Sequence, residues 1–280
     1  MKTITRNRFK VLAIFAAVAV LFYIGTKERA VVTEGVLEHQ SPIAEEAKTI
    51  NDKTDFYTIT AKYPVDARDT GDVMGRYVNG IVASKKEEWR VGGEAYLQEQ
   101  QITKDFPDRS PMTYELAIAY KKYTSQKLNT VSYVLSAYQY TGGAHGGTNV
   151  MTFTFGSQGE IKIEDILNFD DNNNDITLTR LLAKKLTGVL GEYSDESMIT
   201  TGLGLAYLKA DGKTLDTKKC ACDGFFFPSN MQNFYVGDNG MTFIMNQYQV
   251  APYAVGMPEV EVSWRELAPF LRKDFDLPLD

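Results

Sequence analysis

Histidine, cysteine and tryptophan are scarce in this chain, two of each among 280 residues. His39 sits in a polar stretch near the N-terminus, so His145 is the only histidine of the expected folded region, and a histidine-based zinc site has no ligand set. Cys220 and Cys222 are one residue apart in Lys-Lys-Cys-Ala-Cys-Asp. They cannot make the long-range disulfide framework of a small secreted scaffold, and they lack the Cys-x-x-Cys spacing of a zinc or redox pair. Either they close a small strained ring or they remain thiols on a lysine-rich loop. Stability must come from packing. The Gly-x-Ser-x-Gly spacing of a nucleophile elbow is missing too, since Gly156-Ser157-Gln158-Gly159 reads as a hairpin turn. The acidic run Asp170–Asp175 has no glycine at the sixth position and no glutamate at the twelfth, which makes it a solvated loop and not a calcium loop. No catalytic residue, metal or cofactor is expected, and the chain does not read as an enzyme.

Long hydrophobic runs are also lacking, with one exception. Lys2, Arg6, Arg8 and Lys10 precede the uncharged run Val11–Thr26, the basic and apolar regions of an export signal. The nearest cleavage option, Glu28 and Ala30, fails the small-residue requirement at its first position, so residues 11–26 are expected to remain as a membrane anchor, the protein being secreted if they are removed. The basic flank puts the N-terminus inside and the body outside, in the periplasm or at the cell surface. Beyond residue 30 the chain carries 24 Lys and Arg against 35 Asp and Glu, a net charge of −11. Such a surface repels nucleic acid and anionic lipid and speeds encounter with cationic partners. The plainer account is that acidity only keeps the protein soluble.

What is abundant is tyrosine and phenylalanine, 16 and 15 residues, in a chain that is 44% hydrophobic. Together they suggest an aromatic-rich sheet. The expected organisation is a signal anchor or signal peptide over 1–26, a stalk over 27–54, an N-terminal half over 55–147 and a C-terminal half over 148–280. Phe56–Tyr63 alternates as a strand and stops at Pro64. Val73, Met74, Tyr77, Val78, Ile81 and Val82 form the stripe of a helix over 69–89 that should lie on a sheet. Tyr114–Tyr120 and Val131–Ala137 alternate as a long hairpin, and Met151–Phe155 turns into Ile161 and Ile163. Asp175 can cap a helix that carries Leu178, Leu181, Leu182, Leu186, Val189 and Leu190 on one face and stops at Gly191. Residues 233–248 predict a second hairpin, followed by a strand at Val260 and Val262 and a helix over 264–271. The fold class is α+β, antiparallel sheets with helices packed on one face after an N-terminal hydrophobic helix, with no βαβ repeat.

Two loops stand apart from this pattern. Tyr140-Thr141-Gly142-Gly143-Ala144-His145-Gly146-Gly147 sets four glycines around one histidine, which calls for positive φ or close backbone approach. Tyr248–Gly256 leaves a strand and turns at Pro252. Such loops are either tight packing corners or a recognition surface. The ligand-binding candidates are Tyr140, Gly142, Gly143, His145, Tyr248, Pro252 and Tyr253.

The same residues carry a resemblance. Tyr140–Gly147, Phe153 and Phe155, Glu164-Asp165-Ile166-Leu167, Asn233-Phe234-Tyr235 and Ala251–Gly256 are similar to the extracytoplasmic domain of the anti-sigma-V lysozyme receptors, a module shared with PdaC-type polysaccharide deacetylases. The likeness runs from about Phe56 to Leu271. It departs from both parents: about ten residues precede the hydrophobic run, too few for a sigma-binding domain, and the metal-binding histidines of a deacetylase domain are missing. The resemblance therefore implies a sensing or binding module alone, recognising a basic protein such as lysozyme or another muramidase, or else a cell-wall glycan. The acidic body suits a basic partner. Two other classes stay open: a hydrolase using His145 with a nearby carboxylate, and a structural partner in envelope assembly.

Overall fold

The computed structural model describes residues 46–102, 113–169, 174–220 and 227–275. The signal segment, most of the expected stalk, Asp170–Asn173 of the acidic run and Cys222 lie outside the described residues. Among the described residues no helix is long and apolar enough to cross a membrane.

Six strands form the larger sheet, in the order of the chain: β1 (Ala47–Lys53), β2 (Tyr57–Pro64), β3 (Tyr114–Ser125), β4 (Thr130–Tyr140), β5 (Gly147–Gly156) and β6 (Gly159–Ile161). Every pairing is antiparallel except β2 with β3, which run parallel from Tyr57↔Tyr114 to Ala61↔Ile118. The sheet is therefore mixed, which corrects the all-antiparallel expectation. The cause is helix α1 (Val73–Ile102), which carries the chain back along the sheet as a β-α-β crossover. Residues 47–53, expected in the stalk, are the edge strand instead.

Helix α1 starts where Asp69 accepts the backbone N–H groups of Val73 and Met74 at 2.7 and 3.0 Å. Met74, Val78, Val82 and Trp89 then recur on one face and are buried against Ile59, Leu116, Tyr133, Leu135 and Phe155. The stripe predicts this face correctly, but the helix runs on for 30 residues, well past Trp89. Its outer face is a ladder of ion pairs, Lys85–Glu88 and Arg90 with Glu87 and Glu94.

The other face of the sheet is covered as well. Strands β7 (Phe234–Val236), β8 (Gly240–Ile244) and β9 (Glu259–Ser263) make a three-stranded antiparallel sheet. Its edge strand β7 lies over β4 and β5, where Val236 N–H donates to Ser132 Oγ at 3.1 Å and Phe234 N–H to Thr152 Oγ1 at 2.9 Å. Tyr235 stacks on Tyr123 at 3.8 Å, and Val134, Val150 and Ile244 pack together beneath. This is why residues 130–135 of β4 are all buried, without the alternation of a half-exposed strand.

The remote face of the small sheet holds the second core. Met241, Phe243, Val260 and Val262 meet Leu178, Leu182, Leu186 and Leu190 of α3 (Asn174–Leu190), which follows the short helix α2 (Ile163–Ile166). Val189, expected on the buried stripe, is 57% exposed instead. Helix α4 (Glu196–Gly202) and helix α5 (Trp264–Leu267) close this core. The two long helices thus cover two different sheets, where the sequence suggests one sheet with helices on one face. Strand β8 also stops at Ile244, so Met245–Tyr248 is loop, and Ile163 opens α2 instead of continuing β6.

Candidate functional site

The two unusual loops meet at one end of β4 and β5. The first joins these strands, and the second joins β8 to β9. Their junction is made by strand chemistry. Strand β6 is short and reaches only residues 154–156 of β5, which leaves the N–H groups of Thr148 and Val150 for other acceptors. Gln247 Oε1 takes the first at 3.0 Å and Asn246 Oδ1 the second at 2.8 Å. Two side chains of the second loop thereby satisfy the open edge beside the first loop.

His145 is exposed at the tip and stacks on Tyr253, ring centroids 3.9 Å apart at 25°. Tyr248 completes the cluster, 5.6 Å from Tyr253 and 6.5 Å from His145. The imidazole Nδ1 lies 3.0 Å from the Gly146 carbonyl, which assigns the proton to Nδ1 and leaves Nε2 to accept the Tyr248 hydroxyl at 3.4 Å. Both ring nitrogens are engaged, and among the described residues no carboxylate is hydrogen-bonded to His145. Gly142 and Gly143 have φ of 91° and 99°, a left-handed path that L side chains avoid, and the Gly143 carbonyl accepts the Tyr140 hydroxyl at 3.1 Å. Pro252 is exposed and leads into the single 3-10 turn Tyr253–Val255. Of the seven sequence-predicted residues, Tyr140 ends β4 and the other six lie in the joined loops, with His145, Tyr248 and Tyr253 in ring contact.

Tyr248 is 54% exposed and has a φ of 66°. A bulky residue in the left-handed region costs of order 1–3 kcal/mol, a penalty found most often at functional positions. Its turn is locked on both sides. Asn246 N–H donates to Gln249 Oε1 at 2.9 Å, and Gln249 Nε2 donates to the carbonyls of Gly202 and Asn230 at 3.2 and 3.0 Å.

Sequence reasoning misses the amides around this turn. Ser229, Asn230, Gln232, Asn233, Asn246 and Gln249 line a cavity of about 240 Å³. The available signal is two short amide-rich runs, Asn230-Met-Gln-Asn233 and Asn246-Gln-Tyr-Gln249. Cys220 is disulfide-bonded, and Cys222 lies outside the described residues. Among the described residues no group of three or more His, Cys, Asp or Glu converges as a metal site would require.

Fold and site together define a layered α+β module, helix on sheet on sheet on helix, with joined aromatic loops at one end. Comparison with known families divides it in two. Residues 50–148 match the family described as Deacetylase PdaC, and residues 166–265 match the one described as Protein of unknown function (DUF3298). Among solved structures, a DUF3298 family member from Bacteroides fragilis is similar with a TM-score of 0.54 and 19% identity, over 83% of this chain and 95% of that one. This likeness concerns the fold. A DUF3298 family protein from Pseudomonas aeruginosa matches at a TM-score of 0.44 and 13% identity, over 83% and 96%. Among curated proteins, none matches the chain.

Proposed function

We propose that this chain is an extracytoplasmic binding module of the cell envelope, held by residues 11–26, whose joined loops recognise a cell-wall glycan. The observation that carries this reading is the cluster of the exposed His145 and Tyr248 with the half-buried Tyr253, on loops fixed by side-chain hydrogen bonds. Aromatic faces pack against the C–H faces of sugar rings, and a surface fixed beforehand loses little entropy on binding. Hydrolysis through His145 has less support, because both ring nitrogens already have partners. A second reading is a basic protein such as lysozyme, favoured by the net charge of −11 beyond residue 30.

The test is titration calorimetry of the full chain, in a detergent without sugar headgroups, against soluble peptidoglycan fragments and against lysozyme at two salt concentrations. Saturable glycan binding that Tyr253→Ala weakens at least tenfold is the expected result. Heat with lysozyme alone, fading as salt rises, would transfer the role to the acidic surface. No heat with either ligand would leave the module without this function.

A further inference from the structure

The cavity that shares the 246–249 turn with the aromatic cluster has a chemistry of its own. None of its six lining residues is ionisable, although the chain beyond residue 30 carries a net charge of −11. A ligand carrying a full charge would find no counter-charge in the lining, so the cavity favours a neutral one. Its hydrogen-bonding groups are mostly amides, and several are unused. Among the described residues the side chains of Gln232 and Asn233 make no hydrogen bond. Asn246 uses only Oδ1, on Val150 N–H, and its amide nitrogen has no partner among the described residues. Gln249 differs, since its oxygen and nitrogen are both committed to the turn, and it acts as a wall.

Unused amide donors and acceptors in a small uncharged cavity match a ligand that itself carries an amide. An acetamido group presents one N–H and one C=O, the pair that a carboxamide side chain can meet with two hydrogen bonds. At about 240 Å³ the space is below the roughly 300–1,000 Å³ of a site for a drug-sized molecule, and it is open to solvent, the scale of a subsite for one sugar residue within a longer glycan. Position adds to the case. Asn246 and Gln249, which line the cavity, begin and end the same turn that displays Tyr248, so one four-residue turn contributes to both the aromatic cluster and the cavity.

We propose that this cavity is a subsite for an N-acetylated hexosamine, selecting acetylated over deacetylated residues in a glycan held by the aromatic loops. The inference rests on the glycan reading above and deepens it. It does not follow from net charge, because the acidic surface taken alone favours the deacetylated sugar, whose amine is cationic.

The experiment measures binding of the full chain, in the same detergent, to triacetylchitotriose and to its fully deacetylated counterpart. The acetylated trimer should bind at least tenfold more tightly. Asn233→Ala and Gln232→Ala, alone and combined, should remove that preference while leaving the thermal midpoint unchanged, since neither side chain bonds to the protein. Equal or tighter binding of the deacetylated trimer would overturn the proposal. So would a preference that survives the double variant. Loss of all binding in Tyr253→Ala with no effect of the amide variants would sink the cavity alone and leave the glycan reading standing, whereas no binding of either sugar to the wild-type chain would sink both.

Discussion

Gly202 sits at the end of α4 with the carbonyl of Gln249 so close that a Cβ there would overlap its oxygen. The neighbour is backbone, and it cannot rotate aside. Gly202→Ala should therefore push back the turn that carries Tyr248 and destabilise the fold by about 1–3 kcal/mol. Gly188 provides the contrast. It lies in α3, where a Cβ would meet no atom within 4 Å beyond its own stretch of helix backbone, so Gly188→Ala should stabilise by about 0.5–1 kcal/mol through helix propensity. Urea midpoints of the two variants moving in opposite directions would bear this out, and equal shifts would refute it. At this scale the loops are legible in the sequence because glycine, proline and aromatic residues act locally. The amides are not, since asparagine and glutamine occur over any surface. What distinguishes Asn233 from an ordinary solvated residue is its convergence with Asn246 from another loop, which only the fold supplies.

Among the elements, α5 shows how a cap becomes a pH dependence. Ser263 Oγ and Glu266 form a reciprocal capping box, and Lys185 of α3 reaches the Glu266 carboxylate at 2.9 Å. The hydrogen bond from Lys185, then those from the Ser263 hydroxyl and N–H, hold the Glu266 carboxyl down to about 2 from an ordinary value of 4.5. A carboxyl depressed in the folded state contributes its full stability above its unfolded pKa and loses it as pH falls through the folded one. Stability should thus decline between about pH 4.5 and 2, and Glu266→Gln should flatten that decline in urea titrations across the range. At pH 7, Ser263→Ala should cost about 1 kcal/mol. Strands and helices with a single covered face are legible, as the α1 stripe and the β3 alternation show. Strand β4 is only partly so, because the second sheet buries its other face and erases the alternation. The parallel pairing of β2 with β3 leaves no local mark, since its partners are separated by the whole of α1.

For the molecule as a whole, the decisive fact is that two cores share one intervening pair of sheets. Trp89 belongs to the core under α1, and Trp264 to the core under α3. Buried hydroxyls join them: Ser132 pairs with Thr154 at 2.8 Å and also accepts Val236 N–H. Such joints should make the cores unfold together. Fluorescence of Trp89→Phe and Trp264→Phe variants, each leaving one reporter, should give urea transitions with the same steepness as circular dichroism of the same variant. Separate transitions for the two probes would show that the layers are independent. The division seen in the family comparisons is not a division in packing, because β5 and β6 come mostly after residue 148 yet complete the sheet begun before it.

The crossover through α1 also sets a sequence of events in time. Strands β3, β4 and β5 follow one another through short turns and can assemble as soon as they exist, whereas β2 must wait for a helix of 30 residues to bring it alongside β3. Leu135→Ala in β4 should then slow folding, and Ile59→Val in β2 should mainly speed unfolding, a contrast that stopped-flow chevrons would reveal or deny. Until β2 arrives, the outer edge of β3 is a vacant berth that another chain can occupy. The hazard is one of delay, and it lasts as long as the crossover takes.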